Sequence, residues 1–199
     1  MRARAVLASA NAGKLRELAS LLAPAAVELR SAADFDVPTP EETGRTFLEN
    51  ALLKARNASS VTGLPAIGDD SGLVVPALGG APGIYSARFA GPDASAADNN
   101  AKLVAALDGV ADRRAHFYCA LVFLERPDDP VPLIATGAWH GEIVDRPRGG
   151  HGFGYDPHFF VPELKATAAE LAPEVKNARS HRGLAARALA SQLAEAPGP

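Results

Sequence analysis

Two adjacent carboxylates, Asp69 and Asp70, sit in the stretch Gly68-Asp69-Asp70-Ser71-Gly72, behind the apolar Pro65-Ala66-Ile67 and ahead of Leu73-Val74-Val75. Flanking glycines and short apolar runs predict a tight turn at the end of a buried strand. An acid in such a place is costly unless it is hydrogen-bonded, paired or set on a cation, so the pair is a candidate Mg²⁺ or general-base site. Turns favour Asp and Gly in any case, and a solvated acidic turn fits these five residues equally well. Strand alternation sends the two side chains in opposite directions, so one of them, Asp70 or Asp69, reaches a shared site.

Cations that could face this acid come from two segments. Ser9-Ala10-Asn11-Ala12-Gly13-Lys14 links a strand at Ala5-Val6-Leu7-Ala8 to leucines at 15, 18, 21 and 22, which recur at helical spacing. A small-residue loop there offers backbone N–H groups and a positive helix end to an anion, and Lys14 adds a formal charge. It is not a Walker A loop, since the leading glycine is missing and Leu15 follows the lysine. An ordinary capped helix start with an exposed lysine is the plainer reading of the same residues. The second cation is Lys54, close to the apolar face of Phe47, Ala51 and Ala55 on a helix that Thr43 or Thr46 can cap. It reads either as an inward-pointing charge or as a solvated lysine paired to Asn50 or Glu49.

A further polar cluster lies in the last third. Residues 148–157 form a glycine-rich flexible loop with Phe153, Tyr155 and Asp156, and residues 174–183 carry Lys176, His181 and Arg182 ahead of a final helix marked by Ala185, Leu189 and Leu193. Aromatic rings flanked by glycine can stack on a planar base, and acid, lysine, histidine and arginine groups can address its edge.

The elements that must position these groups follow from hydrophobic periodicity. Val27-Glu28-Leu29 reads as a second strand, residues 98–107 as a helix, and residues 114–125 as a central strand apolar on both faces. Residues 131–138 and 141–144 predict a hairpin turning at Trp139 and His140, with Trp139 a packing residue. Residues 78–91 are too glycine-rich for a regular element and read as a long functional loop.

With 199 residues, 47% of them hydrophobic, the chain can bury a sizeable core as a single domain over 1–199. A net charge of −3 argues against nucleic acid or an anionic membrane as the main partner. The single Cys119 excludes an intramolecular disulfide and a cysteine-based zinc site, and its apolar surroundings make it a core thiol. The amino-terminal apolar run is too short for an export signal and nothing approaches a membrane span, so the expected location is the cytoplasm, with 196–199 a frayed tail.

Taken jointly and in order, these pieces resemble the inosine triphosphate pyrophosphatases, also called XTP/dITP diphosphatases or non-standard purine NTP pyrophosphatases. The resemblance is carried by residues 9–14, Glu41-Glu42-Thr43-Gly44 with Lys54, Asp69-Asp70-Ser71-Gly72, residues 79–88, Phe153-Gly154-Tyr155-Asp156, Lys176 and Ser180-His181-Arg182-Gly183. One departure is His151, where relatives keep a small residue. The resemblance implies an α/β fold in which a mixed central β-sheet is flanked by helices and two lobes surround a substrate cleft. It also implies a homodimer, Mg²⁺ as cofactor, and a small-molecule purine nucleoside triphosphate as substrate. ITP, dITP and XTP would be cleaved to the monophosphate and pyrophosphate. By position, Asp70 looks like the general base and metal-associated acid, and Glu42 like a second metal-holding acid. Ser9, Ala10, Asn11, Ala12, Gly13, Lys14, Lys54 and Ser71 look like triphosphate and sugar contacts. Phe153 resembles the stacking ring, within a substrate-binding segment that includes Gly154 and Tyr155, while Asp156, Lys176, His181 and Arg182 resemble the base-reading group. Two other classes fit the polar clusters: a nucleotide-binding module without turnover, and an interaction protein in which they are coincidental.

Overall fold

The computed structural model describes residues 3–25 and 27–195; the tail at 196–199 lies outside the described residues. The strands are β1 (Ala3–Leu7), β2 (Val27–Ser31), β3 (Ala66–Val74), β4 (Arg114–Leu124), β5 (Leu133–Ile143), β6 (Phe159–Val161) and β7 (Ala166–Thr167). They form one seven-stranded sheet in the order β2-β1-β3-β4-β5-β6-β7. Pairing is parallel between β1 and both β2 and β3, and antiparallel from β5 through β6 to β7, so the sheet is mixed. The α-helices are α1 (Ala12–Leu22), α2 (Phe47–Thr62), α3 (Ala96–Ala106), α4 (Pro173–Arg179) and α5 (His181–Glu195). Among the described residues no helix is long and apolar enough to cross a membrane.

The chain divides into two compact units. The first comprises Met1–Ser71, Cys119–Gly137 and His181–Pro199, the second Gly72–Tyr118 and Ala138–Ser180. In the first, Leu18 and Leu22 of α1 and Ala185 and Leu189 of α5, each pair four residues apart on one helical face, are buried with Leu7 and Leu121. In the second, Phe117, Trp139 and Phe159 form an aromatic core with ring centroids 4.6 Å apart for Phe117–Phe159 and 5.2 Å for Trp139–Phe159. Trp139 is thus a packing residue, as its sequence context suggests.

Two segments read as turns are strand interiors instead. Residues 68–72 lie within the nine-residue β3 rather than in a turn at its end. Gly68 has no positive φ; a Cβ there would run into the Ala51 carbonyl oxygen of α2, so the glycine serves the close approach of helix to strand. Trp139 and His140 likewise sit inside one continuous strand, β5, and not at a hairpin tip. A Cβ at Gly141 would meet the Phe160 carbonyl oxygen at 2.5 Å and the Phe159 ring at 2.7 Å, so this glycine serves the close approach of β6 and leaves room for the aromatic core. Gly68→Ala should therefore cost about 1–3 kcal/mol through overpacking, read by urea unfolding. An unchanged midpoint would mean that α2 is free to withdraw from β3.

Other differences are local. The segment at 78–91 contains a short 3₁₀ helix, Gly83–Arg88, stabilised where Ser86 Oγ donates to the Gly83 carbonyl and accepts from Leu73 N. Burial on both faces of β4 holds from Cys119 to Leu124, whereas His116 and Tyr118 in the second unit are half-exposed between buried neighbours. Residues 174–183 are not a lead-in to the last helix: α4 ends at Arg179, Ser180 separates the two, and α5 opens at His181.

Candidate active site

The first unit gathers the phosphate-handling and acidic candidates. Asn11 caps α1, its Oδ1 accepting from Gly13 N at 2.8 Å and Lys14 N at 3.1 Å, while Ser9 Oγ accepts from Asn11 N at 3.1 Å. These three N–H groups are therefore satisfied locally, and the loop's offer to an anion centres on Lys14. That lysine is not exposed as in a plain capped start; its side chain is 19% accessible and Nζ lies 3.3 Å from Asp69 Oδ2. A pocket of about 330 Å³ is lined by Ser9, Lys14, Glu42, Lys54, Asn57 and Asp69, with an apolar wall that includes Ala32 and Val37.

Alternation along β3 separates the two aspartates into different environments. Asp69 is fully buried between α1 and α5 partners: Arg182 Nε donates to Oδ2 at 3.0 Å, beside Lys14, and Cys119 Sγ lies 3.6 Å from Oδ1. Burial alone would raise its carboxyl, but the Arg182 guanidinium and the Lys14 ammonium overcome that and hold it well below the usual carboxylate range. Arg182 is committed at every nitrogen, Nη1 donating to Glu17 at 3.0 Å and Nη2 to Ser71 Oγ at 2.8 Å.

Asp70 faces α2. Lys54 Nζ donates to Oδ1 at 2.7 Å and lies 2.5 Å from Glu42 Oε1, so one ammonium bridges both acids. Asn50 Nδ2 approaches Oδ2 at 3.5 Å, and Asn50 Oδ1 accepts from Gly44 N at 2.9 Å, tying the Glu42 segment to the same helix. Burial pushes the Asp70 carboxyl up; Lys54 pulls it back, Glu42 opposes that pull, and the balance stays raised. Thr46 caps α2, which puts Asn50, Lys54 and Asn57 on one face at i, i+4 and i+7. Sequence reasoning missed Asn50 and Asn57 as site residues, although that polar stripe beside an apolar face was the signal for them. It also missed Glu17, for which i,i+3 spacing from Lys14 is a weak signal.

The second unit holds the base-stacking candidates. Phe153 is 56% exposed, and Lys176 Nζ sits 4.9 Å from its ring centroid while pairing with the buried Asp156. Asp156 Oδ2 accepts from Phe153 N at 2.8 Å, which fixes the ring's backbone. Asn100 donates to the Gly154 carbonyl at 2.9 Å, and the Tyr155 hydroxyl donates to the Ser86 carbonyl at 2.8 Å, so Tyr155 anchors the turn with a buried ring. His181 and Arg182, by contrast, belong to the first unit, where Arg182 serves Asp69, Glu17 and Ser71.

Comparison with known proteins gives consistent matches over almost the whole chain. The model of the Ham1 family matches residues 5–192. A dITP/XTP pyrophosphatase of Burkholderia pseudomallei is 60% identical over 197 residues, covering 98% of this chain and 95% of the relative. One of Aromatoleum aromaticum is 57% identical, covering 99% and 100%. Among solved structures, a HAM1 protein from Coxiella burnetii matches with a TM-score of 0.93 at 49% identity over 98% of this chain and 100% of that one.

Proposed function

The chain belongs to the Ham1 family, and from that premise we propose that it is a nucleoside triphosphate pyrophosphatase. It takes non-standard purine nucleotides, dITP, ITP and XTP, to the monophosphate and pyrophosphate, with Mg²⁺, as a cytoplasmic homodimer. The observation that carries this reading is the unequal pair on β3. Asp69 is neutralised by Arg182 and Lys14, while Asp70 keeps a raised carboxyl beside Lys54 and Glu42. A general base works best when its affinity for a proton is lifted toward the working pH, and Asp70 is the one so lifted.

Water attacks the α-phosphorus, the bond to the β-phosphate oxygen breaks, and the proton of the water passes to the Asp70 carboxylate. Lys14 and Lys54 meet the negative charge that gathers on the departing pyrophosphate. Glu42 and Asp70 already converge on one cation, the Lys54 ammonium, and two carboxylates completed by substrate phosphates suit Mg²⁺, so these residues fit the ion. Bound there, it would supply charge neutralisation on the phosphates.

For the base, the exposed Phe153 ring is a stacking surface, and Lys176 beside it is a donor suited to the six-position carbonyl of hypoxanthine or xanthine. Adenine presents an amino group at that position, and a donor facing a donor is left unpaired. Phe153→Ala should raise KM for dITP about tenfold at nearly constant kcat, since base stacking on an aromatic ring is worth about 1–3 kcal/mol. Inhibition by inorganic pyrophosphate should not change; an equal loss there would contradict the stacking role. The proposal as a whole is tested by steady-state pyrophosphate release from dITP, ITP, XTP, ATP, GTP and dUTP with and without magnesium. Turnover of the first three only with magnesium is expected. Comparable rates with ATP, or orthophosphate as the released product, would overturn it.

A further inference from the structure

His116 on β4 and His140 on β5, neighbouring strands of the sheet, place their imidazoles 5.3 Å apart between ring centroids, tilted by 35°. Both belong to the second unit, and neither is among the acid, lysine or stacking residues described above. Their strand neighbours Ala115, Phe117 and Trp139 are buried, whereas His116 is half-exposed and His140 exposed, so both rings stand on the face away from the aromatic core. Among the described residues neither imidazole enters a hydrogen bond or ion pair, in contrast to His158, whose Nδ1 is engaged with the Val144 carbonyl at 2.8 Å.

We propose that His116 and His140 form a two-imidazole site for a tetrahedral divalent transition-metal ion of the zinc class. The spacing supports it. With metal–nitrogen bonds of about 2.0–2.1 Å, the ion lies roughly 3.2 Å from each ring centre, and a tetrahedral angle then separates the two centres by about 5.2 Å. The strands hold the ring centres at 5.3 Å, the spacing a shared ion would need, and rotation of each imidazole about its Cβ–Cγ bond would turn a nitrogen toward it. Among the described residues no group of three or more His, Cys, Asp and Glu side chains is arranged to hold a metal, so water fills the other positions and the site is open.

The test is a titration of the folded protein with Co²⁺, followed by visible absorption and displaced by Zn²⁺, with Mg²⁺ in excess to occupy the acidic site. One equivalent with the intense bands of tetrahedral cobalt is expected. His116→Ala and His140→Gln should each weaken binding about tenfold or more, because either one removes the chelate. Hydrolysis of dITP with Mg²⁺ should stay at the parent rate in both. The exposed position of His140 keeps His140→Gln folded, which a melting curve checks. Unchanged affinity in His140→Gln, absence of tetrahedral bands, or loss of cobalt binding on Glu42→Gln instead would overturn the site.

Discussion

Asp70→Asn should lower kcat for dITP by about 10²–10⁴, the usual worth of a positioned general base, while KM stays within a few fold and the protein remains folded. Asparagine keeps the shape and the approach of Asn50 and Lys54, and Lys54 retains Glu42 as a partner, so the substitution removes the proton acceptor and one of the two charges that would hold Mg²⁺; a magnesium titration separates the two losses, since only the second is offset by more metal. Burial raises the Asp70 carboxyl above its ordinary value of 3.8 in the metal-free protein, and a cation held there would pull it back down, so the acidic limb of kcat/KM should move to lower pH as magnesium is raised in the parent and vanish with the rate in the variant. The stability sign runs the other way: a raised carboxyl is destabilising once ionised, so removing it should leave the melting temperature at neutral pH unchanged or higher. Turnover retained in Asp70→Asn would move the base role to Asp69.

The candidate charges were legible along the chain, and their long-range partners were not. Lys14, Lys54 and Asp70 stand out because a charged group beside small residues or an apolar face invites a partner, whereas Glu42 was reached only through the family resemblance. Glycine has at least two uses, a turn and a close approach, and nothing local distinguishes them. At Gly68 the deciding fact is the backbone of Ala51, and at Gly141 it is the backbone of Phe160 together with the ring of Phe159, all brought in by tertiary packing. Arg182 shows the same limit for charge. Beside His181 in the sequence it resembles a reader of the purine edge, but its guanidinium is shared among Asp69, Ser71 and Glu17, 113, 111 and 165 residues away. The start of α2, offered to Thr43 or Thr46, and the packing role of Trp139 were readable from local context, whereas the mixed sheet was implied by the family resemblance and not by periodicity.

Asp69 and Arg182 should control stability, the role expected of a buried pair. Arg182→Leu strips the buried Asp69 of its guanidinium and leaves Glu17 without that partner, and breaking a buried pair from one side costs about 3–5 kcal/mol because a charge stays behind uncompensated. Asp69→Asn should cost a similar amount by stranding Arg182 and Lys14. The double variant should lose less than the sum of the two, since the second change removes the charge that the first left unpaired. The pH dependence has a definite sign. Asp69 is held below its ordinary carboxyl value of 3.8, so its contribution is complete above that value and is lost as pH falls from there through the lower folded one. Urea unfolding at pH 7 should therefore show the full gap between parent and Asp69→Asn, and the gap should narrow at pH 3. A gap that is independent of pH would assign the loss to packing instead of charge. The two neighbours on β3 then separate cleanly: the acid whose charge is already spent on Arg182 and Lys14 holds the unit together, and the acid left partly short of compensation is the one able to take a proton.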